Sequence, residues 1–324
     1  MDIAAIEAAA DRLAGHAVRT PLLNAPLLDK AAGRRIFVKA ECLQKTGSFK
    51  YRGARSALSA LDPTQRARGV VAFSSGNHAQ GVACAAGELG VPATIIMPAD
   101  APLLKIANTK TYGAEVILYD RETEDRDAIG AELSETRGLT LIKPFDNEMV
   151  IAGQGTTGLE IADQAADAGI EAVDVLVCCG GGGLTSGIAL ALADRAPAFR
   201  VRPVEPQGFD DVARSLAAGA RQTNNRMGGS ICDAILTPSP GELTFPILHA
   251  HCGPGLVISD DEALRAMAAA MTYLKITLEP GGAAALAAAL FHAEGDGDLI
   301  VIASGGNVDP PLLQRALSLT GPAL

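Results

Sequence analysis

Tryptophan is absent from the 324 residues and aromatics make up only 4%, yet 48% of the chain is hydrophobic and 20% charged, an ordinary soluble globular balance. An excess of positive charge is missing as well. The net charge is −10, and gripping a phosphate backbone needs a basic surface, so a nucleic-acid partner is excluded. The six cysteines (Cys42, Cys84, Cys178, Cys179, Cys232 and Cys252) form no CxxC pair and have no paired His ligands. That speaks against a cysteine metal site and against a disulfide framework. Cys178 and Cys179 adjoin in an apolar run and read as small buried hydrophobes. No stretch approaches the ~20 apolar residues that span a bilayer. The opening MDIAAIEAAADRLAG is acidic and amphipathic, unlike a basic leader followed by an apolar run. The expectation is a cytoplasmic protein with no membrane partner. Internal repeats, low-complexity linkers and long charge runs are also lacking.

What is present is alternation. Short β-branched runs at 36–40, 70–74, 93–98, 114–120, 139–142, 173–179, 200–205 and 299–304 read as strands. Between them lie Ala/Leu-rich helical patterns, for example 78–90, 124–136, 156–169 and 261–274. Continuous apolar strands alternating with helices predict α/β architecture, with parallel sheets covered on both faces. The 35 glycines point to close-packed helices and tight turns. The polar flanks DPTQRARG (62–69) and KPFDNE (143–148) set off a block with its own strand–helix series. Two lobes follow: a small mobile domain at 63–147, and a large domain from 1–62 and 148–324. A small-molecule cleft is expected between them, at the carboxyl ends of the strands.

Short motifs then carry the chemistry. In KTGSFKYRGA (45–54), Lys50 follows a Gly-Ser turn and precedes Arg52. By itself it reads as a surface charge; desolvation or a nearby cation would lower its pKa and make it a nucleophile. SSGNHAQG (74–81) follows a strand and opens a helix, gathering hydroxyls, an amide and free N–H groups where a carboxylate or phosphate can bind. A plain Ser or Asn cap would explain one of those polar residues. CCGGGGLTSG (178–187) sets four consecutive glycines between a strand and a helix, which lets backbone N–H groups converge on an anion. It is neither a Walker loop nor a dinucleotide fingerprint, since Gly181, Gly183 and Ser186 would fill the latter's three positions. In IASGGNVD (302–309) another strand runs into glycines, with Ser304 at its end.

Together with RTPL (19–22), IAGQGT (151–156), VEP (204–206) and LEP (278–280), these stretches resemble the fold-type II pyridoxal-phosphate enzymes, and within them the serine/threonine dehydratase and serine racemase group. They occur in the family's order and span nearly the whole chain. The resemblance implies a two-lobed, tryptophan synthase β-like fold and a homodimer. It implies that Lys50 carries the cofactor covalently and serves as catalytic base, with Phe49 packing at the ring. Asn77 would meet the 3-hydroxyl. Gly180, Gly181, Gly182, Gly183 and Leu184 would bind the phosphate, and Ser304 would face the pyridine nitrogen. A neutral hydroxyl there leaves the ring a weaker electron sink, which suits β-elimination. Ser74, Ser75, Gly76, Asn77 and His78 would hold the substrate carboxylate. Ser75 matches the residue that reprotonates the α-carbon in racemases. Glu205, Asp211 and the Phe209 carbonyl in EPQGFDD (205–211) match a Mg²⁺ site, and hard oxygen donors of this kind also suit Ca²⁺ or Mn²⁺; a solvated acidic loop is the reading on spacing alone.

The expected activity is an ammonia-lyase (dehydratase) that converts L-threonine or L-serine to a 2-oxo acid and ammonia. The alternatives are a serine or aspartate-type racemase, a 3-hydroxyaspartate dehydratase, whose second carboxylate Arg126 would take although by itself it reads as a solvated helix arginine, or a non-catalytic phosphate-ligand sensor. β-Replacement enzymes favour a Ser-Gly-Asn-Thr-Gly turn in place of SGNHAQG. Cys232 and Ala234 depart from the group's Thr-Ile-Ala-Asp-Gly pattern near the substrate, and Phe145 stands where racemases present a polar residue. No room is left after SGGNVD for the regulatory domain of isoleucine-inhibited threonine dehydratases, so that inhibition is not expected.

Overall fold

The computed structural model describes residues 1–319 apart from Ser75, Pro102, Arg121 and Met227. Ten strands are present among them: β1 (Leu22–Leu23), β2 (Ile36–Lys39), β3 (Val70–Phe73), β4 (Ala93–Pro98), β5 (Glu115–Tyr119), β6 (Thr140–Leu141), β7 (Asp174–Cys178), β8 (Arg200–Pro206), β9 (Leu256–Ile258) and β10 (Leu299–Ile302). They form a six-stranded sheet in the order β1-β2-β10-β7-β8-β9 and a four-stranded sheet in the order β5-β4-β3-β6. Every pairing is parallel except β1 with β2. β2, β4 and β10 are buried along their whole length, as continuous apolar runs in parallel sheets require.

The larger sheet and its helices enclose a core that includes Ile36, Val38, Val175, Val177, Ile188, Leu286 and Ile300. A second core, with Val70, Ala72, Ile95 and Met97, underlies the smaller sheet. It also takes in Tyr51, Ala54 and Leu58 of the helix Lys50–Ser59, so the segment that begins at Lys50 reaches into the smaller sheet's core.

The expected helix at 156–169 starts earlier, as Glu148–Asp167, where the Asn147 side chain accepts from Val150 N and caps the first turn. Glycines inside it let neighbours approach closely. A Cβ on Gly187 of the helix Gly183–Arg195 would sit 2.5 Å from both Gly155 N and Ile151 O. The pattern at 261–274 ends its α-helical part at Ala269 and finishes as a π-turn over Ala270–Leu274. β1 and β9, two and three residues long, lie outside the expected strands. Among the described residues, no helix is long and apolar enough to cross a membrane.

Candidate active site

The motif residues gather at the carboxyl ends of β2, β3, β7 and β10, where parallel strands hand over to loops. Two loops are zipped together by backbone bonds: Phe49 N donates to Ser304 O (3.1 Å) and Gly306 N to Gly47 O (2.9 Å). That pairing sets Lys50, the first residue of its helix, beside the end of β10. Its Nζ donates to Pro144 O at 2.8 Å and lies 5.1 Å from the Phe49 ring centre. Burial pushes the Lys50 amine down to about 8, against the opposing pull of Cys178 and Glu279. Arg52, the nearby cation in sequence, has no part in that shift, because its guanidinium turns away into an ion network with Glu41 and Glu160. Desolvation, with no help from a neighbouring cation, lowers the pKa of this amine.

The turn after β3 departs from simple capping. The N-cap of the helix Asn77–Leu89 is Gly76, with no side-chain cap, and Ser74 Oγ instead accepts from Gly76 N at 3.1 Å. First-turn N–H groups are therefore left for an anion. Asn77 bridges two further loops: its Nδ2 donates to Glu279 and its Oδ1 accepts from Asn307 Nδ2 at 2.7 Å. Burial drives His78 down to about 3, with the Lys50 charge adding to the effect. The neutral ring donates from Nε2 to Ile142 O at 2.8 Å. His78 thus shapes the turn without bringing a charge to it. Ser75 lies outside the described residues.

The tetraglycine loop behaves likewise. Gly182, at φ 94°, is the N-cap of the helix Gly183–Arg195 and brings no capping side chain. Its backbone is held from behind, since Gly181 O accepts from Thr244 Oγ1 (2.6 Å) and from Gly241 N (3.1 Å). A Cβ on Gly181 would collide with the Phe145 ring, and one on Gly180 would lie 3.1 Å from Ile235 O. The divergent stretch 230–245 therefore packs directly on the loop. Leu184 is buried just behind it. Ser304, also buried, accepts a hydrogen bond from Cys178 Sγ at 2.9 Å.

Several contributors carry no local signal in the sequence. Glu279 and Asn307 fall inside motifs, yet their meeting with Asn77 depends on three loops converging. Burial raises the Glu279 carboxyl to about 7, while the Asn77 amide opposes the shift. Pro144 contributes only a carbonyl.

Glu205, Phe209 and Asp211 form a separate cluster at the end of β8, all of them buried. The Glu205 carboxylate accepts from Val212 N (2.8 Å) and Ala213 N (2.7 Å). Asp211 accepts from Asn224 Nδ2 through one oxygen, and its other oxygen, Oδ2, is buried without a hydrogen-bond partner among the described residues. Burial pushes Asp211 up to about 6 and Glu205 well above the usual range, with Asp211 adding to the latter. The cluster is not a solvated acidic loop. Among the described residues, no three His, Cys, Asp or Glu side chains converge on one point, so any cation here would draw on two carboxylates and backbone oxygens.

A planar, anionic aldehyde suits the main site: an amine of lowered pKa at one end, uncapped N–H groups at another and a buried hydroxyl at a third. Pyridoxal phosphate has that chemistry, and the two parallel-sheet lobes are those of its fold-type II enzymes. Residues 13–307 match the model of the pyridoxal-phosphate dependent enzyme family, and the chain belongs to that family. It is 44% identical over 307 residues to the L-threo-3-hydroxyaspartate ammonia-lyase of Pseudomonas sp, covering 93% of each protein. The solved T.th. threonine deaminase is 43% identical with a TM-score of 0.88, over 95% of this chain and 99% of that one. Maize serine racemase is 37% identical with a TM-score of 0.91, over 98% of this chain and 97% of that one. The protein is a pyridoxal-phosphate-dependent enzyme of the ammonia-lyase and racemase group, which removes the non-catalytic sensor from consideration.

Proposed function

We propose that the protein is an ammonia-lyase that eliminates the β-hydroxyl of a small β-hydroxy amino acid, releasing a 2-oxo acid and ammonia, and that L-threo-3-hydroxyaspartate is preferred over L-threonine and L-serine. The observation that carries the substrate choice is Arg126. It opens the helix Arg126–Arg137, and its guanidinium carbon lies 5.1 Å from the ring centre of Phe73, the last residue of β3. One residue further on, the carboxylate-binding turn begins. A cation stacked there suits a substrate with a second carboxylate. This reading demotes threonine and serine from the first place that the motifs alone favour. The 44% identical Pseudomonas relative, a hydroxyaspartate ammonia-lyase by name, supports the same choice.

The residues fit the cofactor. Lys50 Nζ would hold it covalently, Gly180 to Leu184 would bind its phosphate, Phe49 would pack at its ring, Asn77 would meet its 3-hydroxyl and Ser304 its ring nitrogen. When bound, the cofactor supplies an electron sink for the α-carbon. The protein supplies the rest. The uncapped N–H groups at the start of the helix Asn77–Leu89 would orient the α-carboxylate. The Lys50 amine, its pKa brought close to neutral pH by burial, takes the α-proton at Nζ. Neutral His78 keeps positive charge away from that amine. Glu205, the Phe209 carbonyl and Asp211 would hold Mg²⁺, whose charge would answer the buried, unpartnered Asp211 oxygen. A homodimer belongs to the same reading; light scattering checks it, and a monomeric mass refutes that part.

The test is a 2-oxo acid assay over L-threo-3-hydroxyaspartate, L-threonine and L-serine, with chiral analysis of the remaining amino acid. Arg126→Ala should lower kcat/KM for hydroxyaspartate by roughly 10- to 100-fold, the worth of a charge-assisted hydrogen bond, and leave threonine within about twofold. Equal losses on all substrates would refute the role of Arg126. Accumulation of D-amino acid as the main product would replace the lyase by a racemase.

A further inference from the structure

β7 and β10 run parallel, with Leu176 opposite Val301, and each ends in a residue that reaches the other. Cys178 closes β7, and Ser304 follows the end of β10. Both are buried, with side-chain atoms 2.9 Å apart, the thiol donating. A hydroxyl has one proton and two lone pairs to use. Among the described residues the Ser304 hydroxyl has no other hydrogen-bond partner, so its own proton is left for a ligand. Cys179 shows that this is not a general property of the pair: alternation along the strand turns it away, into a cluster with Val212 and Leu248. The reading of both cysteines as mere small hydrophobes is therefore incomplete: the Cys179 thiol donates to Gly180 O at 3.6 Å, and that of Cys178 reaches Ser304.

We propose that Cys178 is a positioning residue for the pyridine end of the cofactor: its S–H holds the Ser304 oxygen as an acceptor, so that the Ser304 proton points to the ring nitrogen and stays shared with it. Burial keeps the thiol neutral, pushing it up to about 11, so the donor is present throughout the working pH range. Hydrogen bonds in such a chain polarise one another, and removing the first weakens the second. A ring nitrogen that accepts from a neutral hydroxyl remains unprotonated, which keeps the ring a weaker electron sink. This inference rests on the reading that Ser304 faces that nitrogen.

The experiment compares holoenzymes carrying Cys178→Ala, Cys178→Val and Cys178→Ser, each alone and with Ser304→Ala. Two readouts are taken: the cofactor dissociation constant from fluorescence titration, and the visible absorption band of the loaded protein. Cys178→Ala and Cys178→Val should weaken cofactor binding by about fivefold, the worth of one neutral hydrogen bond, and shift the band. Cys178→Ser restores a donor and should stay within about twofold of the natural protein. In the Ser304→Ala background the three substitutions should add nothing. Should alanine prove too small to keep the core intact, valine retains the volume without the donor and gives the same comparison. Equal effects of serine and valine, or effects that persist without Ser304, overturn the proposal and assign Cys178 to packing. If Ser304→Ala by itself moves neither readout, the reading of Ser304 falls, and this inference with it.

Discussion

Replacing Arg52 by alanine is expected to cost about 3–5 kcal/mol of folding stability, the usual penalty for stranding a buried charge. Arg52 is 1% exposed and Glu41 is 0% exposed. The guanidinium makes a fork to Glu41, from Nε (2.8 Å) and Nη2 (2.8 Å), and a second fork to Glu160, from Nη1 (2.7 Å) and Nη2 (2.9 Å). Thr156 Oγ1 and Val18 O, each at 3.1 Å, accept from the same group. Lys39 adds its own bonds to Glu160 and to Thr20 O. The network is neutral as built, with Lys39 and Arg52 against Glu41 and Glu160. Without Arg52 it carries one excess negative charge in the interior. A single pair at ~4 Å in a medium of effective dielectric ~20 is worth about 4 kcal/mol, the same magnitude. Burial pushes the Glu41 carboxyl up, but Arg52 and Lys39 more than offset this and hold it below its usual value. A depressed carboxyl contributes stability above its unfolded pKa of 4.5 and loses it as pH falls through the folded value. The deficit of Arg52→Ala should therefore be large at pH 7 and shrink in acid. Urea denaturation followed by far-UV circular dichroism at both pH values measures it. The double variant Arg52→Ala, Glu41→Gln, which removes the stranded charge, should recover more than about 1 kcal/mol. A loss below about 1 kcal/mol for Arg52→Ala, the worth of an exposed pair, would refute the reasoning.

Further expectations concern the site. Lys50→Ala should abolish the visible band of the covalent cofactor adduct and reduce turnover to background; a surviving covalent adduct, seen by mass spectrometry after borohydride reduction, would mean that another amine holds the cofactor. Gly181→Ala would drive a methyl group into the Phe145 ring, so cofactor affinity should fall at least about tenfold with the fold intact by circular dichroism; unchanged affinity would show that the loop has room to spare. Mg²⁺ at about 100 times its dissociation constant should add about 2.7 kcal/mol to stability, and chelation should remove it. Asp211→Asn should abolish that response, and an identical Mg²⁺ response in the variant would move the ion elsewhere.

Much of the fold was legible because parallel sheets leave a strong trace. A strand buried on both faces, such as Ala93–Pro98, is almost wholly apolar, its one polar side chain, Thr94, donating to Glu115, and its bounds coincide with the expected run. The helix Glu148–Asp167 was legible only in its second half. Gly153 and Gly155 weaken helix propensity in the first half, and what makes helix favourable there is packing against the backbones of neighbouring helices. β9 is too short for a periodic pattern and exists because β8 offers it an edge.

The site divides along the same line. Local order dictates that glycines follow β7, that a small-residue turn follows β3 and that Lys50 opens a helix, since each is a matter of chain geometry within a few residues. Sequence alone therefore pointed to an anion at helix starts, and left Lys50 nearby as a lysine that by itself reads as a surface charge. The tertiary structure decided the chemistry of the amine, because only burial against Pro144 and the loops of β10 brings Lys50 down to about 8. It likewise made Asn77 a bridge between Glu279 and Asn307, which stand 202 and 230 positions away in the chain. Solvation and long-range contact are properties of the folded whole, and no short stretch can encode them by itself.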